Sequence, residues 1–300
     1  MSKGSAHCDQ AGCTARFPMI AQVPVLINPA RSVFRLDDFS PRAATTFKAT
    51  GTLAERIGRM LPSPSRDVGR TNNYRRLADE LRVFDPGQRT VLVVGSGDGS
   101  AAYLDVAAVE GATILETDVS LAGNARVVCD ASDLPFDDGS FSLVVCQAVL
   151  EHVLEPDRCV QEMHRVLRPG GAIYATTPFM QQVHMGEFDF MRFTRSGHRW
   201  LFRNFDELGS GVATGPASVL VWSVEYFLLS WTDRLWLRRC IKALTRVALG
   251  WMTLLDPVLA GRPAALDASG GFYFIGRRSE HQAITAREMI AYYLGADAQK

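Results

Sequence analysis

The stretch VLVVGSGDGS, Val91 to Ser100, constrains this chain more than any other. Consecutive aliphatic residues without polar alternation describe a strand buried on both faces, the habit of a parallel sheet. Gly95, Gly97 and Gly99 then allow a sharp turn and a close approach to a ligand, with Asp98 inside the turn. A helix predicted over residues 101–109 aims its free N–H groups and positive dipole end at the same point. The glycines by themselves leave phosphate, dinucleotide and sulfonium cofactors open.

Downstream, apolar runs alternate with amphipathic ones. Strands are predicted at residues 90–94, 112–116, 126–129, 141–146 and 172–175, and a helix from Pro156 to Leu167 is stopped by Arg168, Pro169, Gly170 and Gly171. A further helix through YRRLADELRVF, capped by Thr71 or Asn72, leads into the first strand. This alternation predicts an α/β fold with helices on both faces of a parallel sheet, and ligands bind such sheets at the carboxyl ends of the strands. Asp118 closes the second strand, about twenty residues past the glycines, where a carboxylate accepts both ribose hydroxyls. Asp130 closes the third and Asp133 follows in the loop ASDLPF.

VLVVGSGDG, LETDVS, CDASDLPFDDGSFSLVVCQAVLEHV and HRVLRPGGAIYATTP, in this order, resemble a class I S-adenosylmethionine-dependent methyltransferase of the type 11 kind. The resemblance implies a Rossmann-like, doubly wound, mostly parallel seven-stranded sheet with S-adenosyl-L-methionine as cofactor. It implies that Gly95, Gly97 and Gly99 lie under the methionine and ribose, that Asp118 binds the ribose hydroxyls, and that Asp130 faces the adenine amino group. Ala131 would offer its amide to the ring, and Gln147 would border the sulfonium.

Two positions depart from the pattern. The acidic residue usual two places before the first glycine is Val93, and Asp98 is the candidate to supply that charge. Eight residues separate Asp118 from Val127, too few for a proper crossover helix, so the N-terminal seventy residues are a candidate cover for that side of the pocket. These departures motivate the alternative of a non-catalytic or partner-dependent cofactor-binding subunit. A nicotinamide dehydrogenase is disfavoured because Ser100 stands where its fingerprint needs glycine.

Methyl transfer from a sulfonium needs an in-line nucleophile and, for a hydroxyl, a base. The loop TTPFMQQVHMGEFDFMRFTRSGHRWLF resembles the H…DxxRFT segment of methyltransferases associated with glycan and other secondary biosynthesis. His184 is the candidate base, Asp189 its orienting partner or a ligand for a substrate hydroxyl, and Arg192 an anion binder. Thr194 suits a helix cap over residues 195–202, and Asp189 with Arg192 also suits a structural ion pair. His152, in LEHV, is a second residue facing the pocket or bonding within its loop. The histidines and carboxylates have no metal-ligand spacing, so metal-independent transfer is expected.

The sixth and seventh strands, near residues 211–214 and 271–277, are separated by about 55 residues, too many for a hairpin. The helical insertion they enclose, about residues 216–262, holds four of the five tryptophans and, between apolar residues, Arg234, Arg238, Arg239, Lys242 and Arg246. Its first apolar run is too short to span a bilayer. A cap on the domain, a homodimer interface and peripheral membrane contact are the readings of this basic amphipathic pattern. The domain is expected over residues 71–279, with a helix and tail over 280–300. Before it, residues 1–70 combine a linker with a segment resembling part of a zinc ribbon, in which Cys8, Cys13 and His7 are the available ligands.

Thirty-two Lys and Arg against thirty-two Asp and Glu give no electrostatic case for nucleic acid. The polar start MSKGSAHCDQ makes the cytoplasm the expected compartment, with contact at the inner membrane face through the insertion. The expected activity is methylation of a small molecule, O-methylation of a sugar, glycan or related biosynthetic intermediate.

Overall fold

A computed structural model of the chain describes residues 4–7, 14–39, 65, 67–97, 103–121 and 124–298. In chain order the elements are β1 (Ser5–His7), β2 (Arg16–Ile20), β3 (Val23–Pro24), α1 (Arg70–Arg82), β4 (Thr90–Val94), α2 (Leu104–Ala107), β5 (Thr113–Asp118), β6 (Val127–Val128), β7 (Phe141–Gln147), α3 (Pro156–Val166), β8 (Leu167–Pro178), α4 (Arg195–Leu201), β9 (Phe205–Thr214), α5 (Pro216–Leu229), α6 (Leu235–Leu249), α7 (Asp256–Leu259), α8 (Ala265–Ala268), β10 (Gly271–Arg278) and α9 (Ala286–Ala291). Asp98, Gly99, Cys8 and Cys13 lie outside the described residues, as does most of the linker expected within residues 1–70.

The seven-stranded sheet has the order β6-β5-β4-β7-β8-β10-β9. Its first five strands run parallel, and β10 is antiparallel to both neighbours. Alternate residues of β4 feed opposite cores, which is why its sequence reads as an unbroken apolar run. Leu92 and Val94 pack with Cys159, Met163 and Val166 of α3 on one face. Val91 and Val93 pack with Tyr74, Leu77 and Leu81 of α1 on the other. Val93 is 5% exposed in that core.

Several boundaries differ from the sequence reading. The helix before the first strand is capped by Gly69, not Thr71 or Asn72, and Asn73 donates to the Gly69 carbonyl at 2.9 Å. The Arg-Pro-Gly-Gly segment joins β8 instead of forming a separate stop, because Leu167 and Ala172 on either side of it pair with Phe141 and Leu143 of β7, with Gly170 absorbing the irregularity between them at a φ of 77°. The cap predicted at Thr194 is present, its Oγ1 accepting from Gly197 at 3.1 Å.

Among the described residues between β5 and β6 there is no helix. Instead Val25 bridges Val128 in parallel and Leu26 donates to the Val128 carbonyl at 2.7 Å, so the N-terminal segment closes the sheet edge. Val25, Ile27 and Phe39 form a small core with Val128.

Between β9 and β10 the insertion is held by buried acids. Asp256, with no exposure, accepts the free N–H groups of Ala217 and Ser218 at the start of α5 and the Ser218 hydroxyl at 2.5 Å. Glu225 of α5 accepts the Thr245 hydroxyl of α6 at 3.1 Å. Glu225 interrupts the apolar run in sequence because it ties the two helices together.

His198 in α4 is 2% exposed, its ring enclosed by Phe193, Phe202 and Phe274. Burial holds its pKa down at about 3, so the folded protein keeps it neutral. The stability this neutral ring carries is complete above its unfolded pKa of about 6.5 and is lost as pH falls toward 3, at roughly 1.4 kcal/mol per unit. Thermal melts from about pH 7 to 4 should show the wild type losing stability faster than His198→Phe; parallel losses refute the assignment.

Candidate functional site

At the carboxyl ends of β4, β5 and β7 a cavity of about 480 Å3 is lined by Gly95, Asp118, Asp130, Ala131 and His152. Gly95 has a φ of 71°, and a Cβ there would lie 2.3 Å from Val149 Cγ2, so the floor accepts no side chain. Gly97 has a φ of 55° with open space where its Cβ would be. Asp118 is 4% exposed; one oxygen accepts the Gly97 N–H at 2.8 Å and the other that of Ser120 at 2.9 Å. The acid at the end of β5 is thereby fixed against the glycine turn at the end of β4.

Asp130 is 7% exposed and accepts the Ser132 N–H and hydroxyl, each at 2.8 Å, and the Ser32 hydroxyl at 2.5 Å. Ser32 reaches it because residues 25–34 fold along the sheet edge, and Phe34 and Ser32 line the cavity with it. Arg31 pairs with Asp133 at 2.9 Å. The cover expected from the N-terminal region is therefore this segment.

Gln147 does not line the cavity; its Oε1 accepts the Tyr74 hydroxyl at 2.5 Å. The chain turns directly after it at Ala148, whose φ of 51° is costly for a residue with a Cβ. A single 3-10 turn, Leu150–His152, follows.

That turn carries the second half of the site. The Glu151 carbonyl accepts the N–H groups of Phe190 and Met191 at 2.9 and 3.2 Å, folding the loop after β8 onto the end of β7. His152 Nδ1 lies 2.6 Å from the Phe188 carbonyl, which can only accept, so this nitrogen carries the proton. His184 Nδ1 lies 3.3 Å from Asp189 Oδ2, and the His184 N–H donates to the same oxygen at 2.8 Å. The His152 and His184 rings meet edge to face at 4.8 Å.

Asp189 and Arg192 form a two-bond pair, with Arg192 Nη2 to Oδ2 at 2.8 Å and Nη1 to Oδ1. Arg192 holds the Asp189 carboxyl well below the usual carboxylate range. The remaining Arg192 donors go to the carbonyls of Gln181, Gln182 and Met191. Its guanidinium is thus occupied within the loop, as a clamp and not as an open anion-binding group.

Glu151 was not among the residues singled out by sequence. Its side chain is 1% exposed, Oε2 has no hydrogen-bond partner, and burial pushes its pKa up to about 7. The available signal was an acid inside the apolar run AVLEHV. Among the described residues, Glu151, His152 and His184 bring a carboxylate oxygen and two ring nitrogens within 4.8 Å of one another.

The residues present fit a cationic, ribose-bearing cofactor. Two nearly buried carboxylates line the cavity at the ends of adjacent strands, and the glycine floor leaves space above them. Residues 92–175 match a family model described as a methyltransferase domain. Demethylmenaquinone methyltransferase of Clavibacter sepedonicus is 41% identical over 101 residues, 29% of this chain and 40% of that protein. The enzyme of the same name from Renibacterium salmoninarum is 34% identical over 117 residues, 35% of this chain and 48% of its own. An uncharacterized methyltransferase of Mycobacterium sp. strain JLS is 32% identical over 150 residues, 47% of this chain and 54% of its own. The chain spans about half the length of the curated relatives it matches.

Proposed function

We propose that this chain, which carries a class I S-adenosylmethionine-dependent methyltransferase domain with S-adenosyl-L-methionine as cofactor, methylates a hydroxyl of a sugar, glycan or related biosynthetic intermediate at a membrane surface. The observation that carries the reading is a cavity with carboxylates on one wall and a histidine cluster at its edge. Bound S-adenosyl-L-methionine supplies a methyl group on a positively charged sulfur. For such a transfer the chain's own part would be to hold the acceptor oxygen in line with that methyl group and to give the hydroxyl proton a place to go.

In this reading Gly95, Gly97, Asp98 and Gly99 cradle the methionine and ribose. Asp118 takes the ribose hydroxyls, while Asp130 and Ala131 take the adenine edge. Gln147, tied to Tyr74 and outside the cavity lining, takes no direct part beside the sulfonium and instead anchors the end of β7 before the turn at Ala148. His184, oriented by Asp189 with Arg192 as clamp, is the group around which the acceptor loses its proton.

Membrane contact is suggested by the insertion's outward face. Trp231, Leu235, Trp236, Leu244, Val247 and Trp251 are each at least 60% exposed, beside Arg234, Arg239 and Lys242. Tyr226 in α5 donates to the Val183 carbonyl at 3.3 Å, which joins this surface to the His184 loop. No helix among the described residues is long and apolar enough to cross a membrane, so contact would be interfacial. Each basic residue near an anionic surface adds about 1 kcal/mol and each inserted tryptophan about 2 kcal/mol.

The protein should therefore sediment with phosphatidylglycerol vesicles at low salt, and Trp231→Ser, Trp236→Ser and Trp251→Ser together should weaken partitioning at least tenfold. Self-association without vesicle binding would assign the face to a homodimer. A second reading, a reduced quinone acceptor, is favoured by Phe34, Met185, Phe188 and Phe190 in the cavity wall and by the relatives named for demethylmenaquinone. Calorimetry with the cofactor tests the function itself, followed by methyl-transfer assays on sugar and quinol acceptors. Cofactor binding without transfer to either class would favour a non-catalytic subunit.

A further inference from the structure

We propose that Glu151, His152 and His184 bind a divalent transition-metal ion at the edge of the cavity, and that its open positions hold the acceptor oxygen. The inference rests on the proposed methyl transfer for the ion's role, but not for its binding.

His152 is held in the tautomer that metal binding needs. The Phe188 carbonyl fixes the His152 proton on Nδ1, so Nε2 presents a lone pair. That nitrogen lies 3.8 Å from Glu151 Oε1, too far for a hydrogen bond. Bonds of about 2.1 Å from one ion to an imidazole and a carboxylate leave their donor atoms roughly 3 to 4 Å apart. The separation therefore suits two ligands of one ion better than it suits a direct bond.

Glu151 also brings a buried oxygen without a partner. Glu151 Oε2 is buried with no partner, and its carboxylate is followed in sequence by a histidine that cannot reach it. A buried polar atom without a partner costs free energy that an ion bound by both oxygens of this carboxylate would recover.

Behind His184 stands a carboxylate that is itself anchored. Its Nδ1 faces Asp189 Oδ2, and Asp189 is itself locked by two bonds from Arg192. Metal-bound histidines are held in this way by a carboxylate on the far ring nitrogen. One carboxylate and two imidazoles form a three-ligand set that leaves coordination positions open, and the nitrogen ligands favour zinc or iron over manganese and magnesium. His152 lines the cavity, so the open side communicates with it. An acceptor hydroxyl on the ion becomes more acidic, its proton passes to water, and its oxygen keeps the lone pair for the methyl group.

The test titrates chelator-treated full-length protein with ZnCl2, MnCl2 and MgCl2 by calorimetry, with elemental analysis for stoichiometry. It uses Cys8→Ser/Cys13→Ser protein, so that the N-terminal cysteines do not contribute. One equivalent of zinc per chain is expected, and Glu151→Gln, His152→Ala and His184→Ala should each weaken it at least tenfold. Asp189→Asn should weaken it about tenfold or more through His184. Cobalt substitution should give visible ligand-field absorption that His184→Ala removes while the metal-free variant still melts cooperatively. Less than one-fifth of an equivalent, or a full equivalent unchanged in His152→Ala and His184→Ala, overturns the proposal. Metal binding without methyl transfer would leave the site standing and overturn the function; metal-independent transfer by protein that binds no ion would do the reverse.

Discussion

Asp118→Ala is expected to weaken S-adenosyl-L-methionine binding by two orders of magnitude or more. The carboxylate is nearly buried and has two tasks at the end of β5. It fixes the glycine turn through Gly97 at 2.8 Å and presents charge to the cavity. Hydrogen bonds to a charged group contribute about 1.5–3 kcal/mol each, so losing the two proposed to the ribose would cost about 3 kcal/mol or more. At 1.4 kcal/mol per factor of ten, that amounts to at least a hundredfold. Asp118→Asn, which keeps one acceptor, should fall between wild type and alanine. Calorimetry reads all three; wild-type affinity in Asp118→Ala would mean that the cofactor is held elsewhere.

Asp189→Ala is expected to reduce turnover about a hundredfold or more while leaving cofactor affinity within a few-fold of wild type. The side chain is 1% exposed and meets both His184 and Arg192. Removing one member of such a pair leaves the other charge uncompensated, a cost of about 3 kcal/mol. The cost falls on the loop, because Arg192 also ties Gln181, Gln182 and Met191. His184 then loses the carboxylate that orients its ring, and misorientation of a reacting group lowers the rate steeply. Hydrogen exchange should show faster opening over residues 181–192, with the β4–β7 amides unchanged. A normal kcat in this variant would remove His184 from the chemistry.

Both predictions use residues that were legible in the sequence, and the reason is local. Asp118 and Asp130 fall at strand ends by counting along apolar runs, and the glycines mark the turn because few other residues accept a φ near 71°. The strand and helix types followed from periodicity, while several boundaries did not. The RPGG run reads as a stop, yet pairing with β7 and β10 draws its neighbours into one strand. Gly69 caps α1 without a side chain, so no residue type announced it.

The acceptor side was legible only as an inventory. His184, Asp189 and Arg192 share one loop, and their spacing suggested a network. The meeting of that loop with Glu151 and His152 depends on main-chain bonds from Phe190 and Met191 to the Glu151 carbonyl. Backbone groups occur at every residue, so composition and spacing hold no record of which pair will bond. The same applies to Ser32, which reaches Asp130 across 98 positions by way of the Val25–Val128 bridge.

The insertion shows the same limit. Its pattern reveals that α6 has an apolar and a basic side, whereas only packing decides which side is turned outward. Glu225 and Asp256 fix that orientation by anchoring α5 to α6 and to α7, leaving Trp236, Leu244 and Val247 exposed. The sequence by itself determined the α/β class, the glycine turn and the acids at the strand ends, because each follows from the period of buried residues along one segment. Tertiary structure alone decided the closed sheet edge, the Glu151–His152–His184 cluster and the outward apolar face, because each joins segments whose contact is specified by the free energy of the whole fold and not by any one of them.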